Sequence, residues 1–316
     1  MQTIVPICAI IATRNRAESL SQTLHSLLRQ DLLPAEIILV DASTHDATKH
    51  LVYDFRKRLA GSTLVQWIEA EVPGAASQRN QGVACATQPL IWFFDDDVIF
   101  EPQCAERLWH AIESDRQLGG VNAMIVNQRY QPPGFVSRAM FTLMHGRREK
   151  SFAGKVIGPA INLLPEDRED LPGVVPVEWL NTTCTIYRRE ALPSPPFDPF
   201  FTGYSLMEDV ALSSRVGKKW KLANVRTAWI FHDSQLGEHK SNVKGMARME
   251  LMNRHYIMTR ILERSTFSDY VKLAAFQTFN LIGGLRDWRN WPRLLAGKFS
   301  GLREILRAHQ LSPKNP

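Results

Sequence analysis

Three consecutive carboxylates, Asp95, Asp96 and Asp97, follow an apolar run from Leu90 to Phe94. If strand alternation carries through them, Asp95 and Asp97 point the same way. Crowded carboxylates repel unless a cation sits between them or they take up protons. No Lys or Arg lies between Arg79 and Arg107, so chain neighbours do not neutralise the group by ion pairing. A hard divalent cation such as Mg2+ or Mn2+ does, because it favours oxygen ligands and commonly shares its shell with substrate phosphates. The chemistry expected here is a metal-assisted diphosphate site; taken alone, the triplet equally suits a solvated turn or a helix N-cap. Glycine-rich phosphate loops are missing from the sequence, with no G-x-G-x-x-G after the first apolar run and no G-x-x-x-x-G-K-S/T.

The elements that must position these acids repeat one rhythm. Apolar runs fall at Val5 to Ala12, Ile37 to Val40, Leu64 to Ile68 and Leu90 to Phe94, and the stretches Ser19 to Gln30 and Thr48 to Leu59 have helical spacing. Runs that are apolar throughout predict strands covered on both faces, as in a mostly parallel sheet between helix layers. Ligands of such sheets gather at the carboxyl ends of the strands. There the sequence places Thr13, Arg14, Asn15 and Arg16, then Asp41 and Ser43, then Asp95 to Asp97. A helix is predicted over Cys104 to Ser114 and a strand over Gly120 to Val126, whereas Gln131 to Pro176, rich in Pro and Gly, reads as an insertion or acceptor-side loop. Regularity returns with Val177 to Tyr187, a helix near Leu206 to Val216 and an apolar run Ala228 to Phe231 ending at His232. Glu208 and Asp209 open that helix, where acids complement the helix dipole by ~0.3–1 kcal/mol each.

The 316 residues are 44% hydrophobic and 22% charged, which excludes a disordered chain and suits one large or two modest domains. Four cysteines stand far apart at positions 8, 85, 104 and 184, the pattern of a reducing, cytoplasmic compartment. The run Ile4 to Ala12 is short and contains Pro6, so a first strand is expected rather than a signal peptide. The best candidate for a membrane span, Leu273 to Leu285, is cut by Gln277, Thr278 and Asn280, so no membrane span is expected. The net charge of +6 is unevenly placed: Lys240 to Pro316 carries 14 Lys and Arg against 5 Asp and Glu, leaving 24 against 27 before it. Trp288, Trp291, Phe276, Phe279 and Phe299 alternate there with Arg286, Arg289, Arg293 and Lys298. That composition fits an interfacial helix among anionic headgroups, or a solvated face over a packed one. Two regions are expected, 1–235 carrying the chemistry and 236–316 as a basic helical extension.

Several ordered motifs over residues 4 to 232 together resemble the inverting family 2 glycosyltransferases of GT-A fold. They are Ile10 to Arg16, Ile38 to Ser43, Gly74 to Gly82 with Arg79-Asn80, Asp95 to Asp97, Trp179 with Arg188-Arg189, Glu208-Asp209 and His232. The resemblance implies an α/β fold with a Rossmann-like, mostly parallel central sheet and a C-terminal helical extension. It implies that Thr13, Arg16, Asp41 and Arg79 lie along a nucleotide, with Asp41 accepting a ring N–H and Arg79 bracing base or phosphate. Asp95 and Asp96 would join them at the ribose or donor sugar, while Asp97 and His232 would ligate Mg2+ or Mn2+. Asp209 would act as general base, Glu208 would orient donor or acceptor, and Trp179 would floor the sugar pocket. Each has a plainer reading too: Asp41 as a turn residue, Arg79 as a helix-surface charge, His232 and Trp179 as packed side chains. Arg188 and Arg189 remain unassigned.

The implied donor is a UDP-, dTDP- or GDP-linked sugar, the acceptor a lipid-linked saccharide or polysaccharide at the inner face of the cytoplasmic membrane, with no nucleic acid involved. A sugar-nucleotide pyrophosphorylase or nucleotidyltransferase is expected to carry a Gly-rich loop and Lys after its first strand, where this chain has Ala12-Thr13-Arg14-Asn15-Arg16. A non-catalytic module binding nucleic acid or a partner through its basic tail has no need of the two acidic clusters.

Overall fold

A computed structural model of the chain describes residues 2–59, 61–234 and 241–311. In chain order the elements begin β1 (Thr3–Thr13), α1 (Ala17–Leu27), β2 (Leu32–Asp41), α2 (Ala47–Arg58), β3 (Leu64–Glu69), α3 (Ala75–Cys85), β4 (Leu90–Phe94), β5 (Val98–Phe100) and α4 (Cys104–Ser114). They continue β6 (Leu118–Ile125), α5 (Phe135–His145), β7 (Val156–Ile157), β8 (Ile161–Asn162), β9 (Val174–Val177), β10 (Cys184–Arg188), α6 (Glu208–Val216) and β11 (Lys221–His232). The last helices are α7 (Val243–Tyr256), α8 (Phe267–Gly284) and α9 (Trp291–Leu311). Two compact units result.

The first unit contains the described residues up to Gln131, with Ala153–Lys155 and Leu163–Ser234. Its nine-stranded sheet runs β3-β2-β1-β4-β10-β6-β11-β5, with β9 on β11. β1 pairs in parallel with β2 and β4, β2 with β3, and β6 with β11, whereas β10, β5 and β9 run antiparallel to their neighbours. Ile7 to Ile11, Ile37 to Val40 and Ile91 to Phe94 are buried along both faces. Burying each such large side chain contributes about 1.5–3 kcal/mol, which is why these runs lack the alternation of a half-exposed strand. This is the expected α/β, mostly parallel sheet flanked by helices. Strand order brings the ends Thr13, Asp41 and Phe94 side by side, and Thr13 lies opposite Asp41 in register.

Two local expectations are corrected. β4 ends at Phe94, so the aspartates lie in the turn to β5 and not on a continued strand. β5 itself escaped sequence reading because it is three residues long. It forms because β11 pairs with one edge, while Thr23 Oγ1 and Ser26 Oγ on α1 accept from the N–H groups of Val98 and Phe100, each at 3.1 Å. The stretch 131–176 also holds more than a loop, namely α5, the β7–β8 hairpin and β9.

The second unit contains Pro132–Phe152, Val156–Asn162 and the described residues beyond 240; the boundary expected at 235 and 236 lies outside the described residues. The predicted C-terminal helical region is present as α7 to α9. Leu251, Met258 and Leu273 form its apolar centre, with Ile305 against them. Beside it Glu250 of α7 is held by Arg254, by Lys298 of α9 and by Gln277 of α8 at 3.2 Å. Burial alone raises the Glu250 carboxyl, but the two cations overcome it and hold it down at about 2.

The seating of α3 on the sheet depends on Gly82, where a Cβ would come within 2.5 Å of Ile10 Cγ2. Gly82→Ala therefore forces α3 away from β1 and should cost about 1–3 kcal/mol in urea unfolding. An unchanged midpoint would contradict this packing.

Candidate active site

Three aspartates at the sheet rim turn three ways. Asp96 points inward, where Thr13 Oγ1 donates to its Oδ2 at 2.6 Å and Arg16 Nη1 reaches its Oδ1 at 3.0 Å. Burial pushes Asp96 up to about 6 against the opposing pull of Thr13 and Arg16. Asp97 Oδ2 takes a second contact from Arg16 Nη1 at 3.0 Å, and its Oδ1 stands 3.1 Å from His232 Nε2. Burial raises Asp97, yet His232 and Arg16 prevail and hold it below the ordinary carboxylate value. Asp95 Oδ1 meets Arg79 Nη2 at 2.6 Å, and Arg79 Nη1 continues to Glu208 Oε1 at 2.8 Å. Ion pairs thus do reach the triplet, and offset part of its charge. The arginines come from α3 and from the turn after β1, a tertiary pairing that local sequence spacing does not reveal.

Arg79 is buried, and its guanidinium lies 5.5 Å from the centre of the Phe197 ring. The residues on either side of it fix its position. Gln78 Nε2 donates to the strand-end carbonyls of Thr13 at 2.9 Å and Val40 at 2.7 Å. Asn80 donates to Phe197 O at 2.7 Å and accepts from Phe197 N at 2.8 Å. On the far side, Ser205 and Met207 take left-handed conformations, φ 56° and 70°, in the turn that delivers Glu208 to the first position of α6. Burial first, then Asp209, pushes Glu208 up to about 8 despite Arg79. Asp209 Oδ1 accepts from Val210 N at 2.7 Å, and burial raises this carboxyl to about 6. Tyr204, in the same turn, feels Glu208, Asp95 and Asp97: its hydroxyl is pushed up by partial burial and then by these charges.

His232 reaches Asp97 because β11 pairs with β5, setting His232 opposite Val98, and because Asp233 N donates to Asp97 O at 2.8 Å. Asn127, just beyond β6, clamps the His232 backbone on both sides, and Gln128 Nε2 lies 3.0 Å from its Nδ1. Asp95, Asp97 and His232 each offer a ligand atom, all within 4.8 Å of one another. Two carboxylate oxygens and one imidazole nitrogen form a donor set suited to a divalent cation.

The other predicted residues fall as follows. Asp41 lies at the rim beside Thr13, buried, its Oδ1 accepting from Ser43 N at 2.9 Å and its Oδ2 from Trp67 Nε1 at 3.1 Å. Trp179 is buried and donates through Nε1 to Leu163 O at 2.8 Å. Arg188 and Arg189, left unassigned by sequence, bind the carbonyls of Ile112, Leu118 and Ala86 at the opposite end of the strands, where β4 begins. Sequence reasoning did not single out Gln78, Asn127, Gln128, Phe197 or Tyr204. They act through contacts between segments far apart in the chain, and of them only Gln78, beside Arg79 within the quoted glycine-bounded motif, carried a signal.

Removing the buried guanidinium with Arg79→Met leaves Asp95 and Glu208 without their shared counter-charge. Chemical denaturation should register a loss of about 3 kcal/mol or more, partly restored in Arg79→Met with Glu208→Gln. Equal stability of the single variant and the parent would show that Arg79 is not the link.

Residues 8–160 match the model of the family described as Glycosyl transferase family 2. Poly-beta-1,6-N-acetyl-D-glucosamine synthase of Staphylococcus epidermidis is 23% identical over 162 residues, 49% of this chain and 38% of that protein. Validoxylamine A glucosyltransferase of Streptomyces hygroscopicus subsp. jinggangensis is 35% identical over 104 residues, 31% of this chain and 24% of that one. Both matches span well under half the length of these relatives. Among solved structures, the mannosyltransferase PcManGT from Pyrobaculum calidifontis, in complex with GDP-Man and Mn2+, superposes with a TM-score of 0.56. That likeness is at 14% identity and covers 94% of this chain and 87% of that one, a likeness of fold.

Proposed function

We propose, from the match of residues 8–160 to the Glycosyl transferase family 2 model, that this chain moves a glycosyl group from a nucleoside-diphosphate sugar to an acceptor hydroxyl by a single inverting displacement. The observation that carries this reading is the Asp95–Arg79–Glu208 bridge, which ties the candidate cation site to the acidic pair at the start of α6. Donor and acceptor chemistry need those two acidic centres next to each other.

Thr13, Arg16 and Asp41 lie along the strand ends and would flank the nucleotide. Asp96, held inward by Thr13 and Arg16, shapes that floor. Asp95, Asp97 and His232 would hold a divalent cation, which when bound supplies positive charge against the departing diphosphate. The imidazole nitrogen favours Mn2+ over Mg2+, which prefers an all-oxygen shell. Glu208 is committed to Arg79, so Asp209 is the carboxylate that takes the proton of the attacking hydroxyl. Its raised value of about 6 leaves it ionised at neutral pH and more basic than an ordinary aspartate. Arg79 is a positioning residue, holding Glu208 and Asp95 in place. The polymer in the name of the staphylococcal relative supports a polysaccharide acceptor over the lipid-linked one, and the GDP-Man complex supports a nucleoside-diphosphate donor, whether UDP-, dTDP- or GDP-linked.

A panel of nucleotide sugars with Mn2+ or Mg2+ tests the assignment. Calorimetry should show that Asp97→Ala weakens metal-dependent donor binding at least about tenfold. Asp209→Asn should bind donor like the parent and lose transfer by about 10²–10⁴-fold; transfer at the parent's rate would remove Asp209 from the chemistry.

The pH profile gives a separate check. A base with a raised value is protonated and idle in acid, so kcat/KM should climb with pH and level off above about 6. An acid limb near the ordinary aspartate value of 3.8 would contradict the buried setting of Asp209.

A further inference from the structure

α8 buries Leu273, Phe276 and Gln277 on one side. On the other side Phe267, Val271, Ala274, Thr278 and Ile282 follow one another at three- and four-residue steps, all exposed, and Leu285 continues the line. α9 repeats the pattern with exposed Phe299, Leu302 and Leu306. α5, which touches α8 as α9 does, begins with exposed Phe135 and Val136 and exposes Leu143 two turns later. Phe135 is 89% exposed, Phe267 85% and Trp288 71%. Singly exposed apolar residues are ordinary; stripes along three helices of one unit, with aromatic rings almost wholly in water, mark an interaction surface.

The charges on α8 and α9 and in the turn between them select its partner. Arg286, Arg289, Arg293, Arg303 and Arg307 are exposed around the stripes. The acids among them are largely engaged: Asp269 in a capping box with Thr266, Asp287 with Asn290, Glu304 with Arg248. A basic rim around aliphatic and aromatic stripes complements a surface that is anionic outside and hydrocarbon beneath. Phosphates of a nucleic acid would satisfy the arginines but leave Ile282, Leu285, Leu302 and Leu306 in water. Among the described residues no helix is long and apolar enough to cross a membrane.

We propose that the helical unit docks on an anionic lipid bilayer, its exposed stripes on α5, α8 and α9 lying among the headgroups and acyl-chain ends and its arginines on the lipid phosphates. Amphipathic helices of this kind seat about 5–10 Å into the interface. The docking surface lies wholly within this unit and needs neither donor nor metal.

Flotation of the full chain with vesicles tests it. Vesicles of phosphatidylcholine with phosphatidylglycerol should carry the chain upward, and pure phosphatidylcholine should carry at least about tenfold less. Replacing Phe267, Trp288 and Phe299 together by serine should lower partitioning at least about tenfold. Replacing Arg286, Arg289 and Arg293 by glutamine should lower it about fivefold per residue. All six side chains are exposed or nearly so, and unchanged melting of both variants confirms that the fold is intact. Asp97→Ala should float like the parent, which separates loss of docking from loss of the proposed catalysis. The proposal is overturned if the parent stays at the bottom of the gradient, if neutral vesicles capture it equally, or if the serine variant floats as the parent does. It is overturned as well if sedimentation shows a dimer that the serine variant splits while vesicles leave the parent behind.

Discussion

A single buried guanidinium organises the rim of this protein. Arg79 joins Asp95, which follows β4, to Glu208, which begins α6, across 16 and 129 residues of sequence. Two carboxylates so placed would repel, and a buried Arg without them would be an uncompensated charge. Each makes the other tenable, so the turn after β4 and the start of α6 are locked to the same helix. That helix is in turn locked to the sheet, by Gln78 on the ends of β1 and β2 and by the close approach at Gly82.

Charge at the rim follows from that arrangement. Asp95, Asp96, Asp97, Glu208 and Asp209 face Arg16, Arg79 and one histidine. Acids outnumber guanidinium groups, so the rim by itself favours a cation and disfavours a polyanion. A divalent ion bound there would change that sign for the diphosphate of the proposed donor. Burial divides the labour further: Asp96 is turned inward to Thr13 and Arg16, while Asp97 is held in its ionised form beside His232. Adjacent residues of one type therefore have different work because the turn aims them differently.

The helical unit obeys other rules. Its inner side is held by a buried Glu250, Arg254 and Lys298 network beside a small apolar centre, and its outer side leaves apolar stripes uncovered. A soluble surface helix with the same inner face has no need of a phenylalanine 85% exposed at its first position. The uneven charge of the chain, with its basicity after Lys240, matches that division.

What the sequence by itself determined is local. Unbroken apolar runs named β1, β2 and β4 as buried strands, whereas β3, expected to be covered on both faces, is an edge strand with Leu64 exposed; helical spacing named α1, α2 and α4, and polar residues at the strand ends named the rim, because periodicity and burial preference are written residue by residue. Ordered motifs likewise carried the family resemblance and the candidate acids. Tertiary structure alone decided which charges meet: that Arg16 and Arg79 answer the aspartates, that three residues become β5 because β11 and two hydroxyls of α1 receive them, and that this pairing delivers His232 to Asp97. Coulombic and hydrogen-bond partners far apart in the chain leave no period in the sequence, so their choice appears only when the sheet order brings the strand ends together.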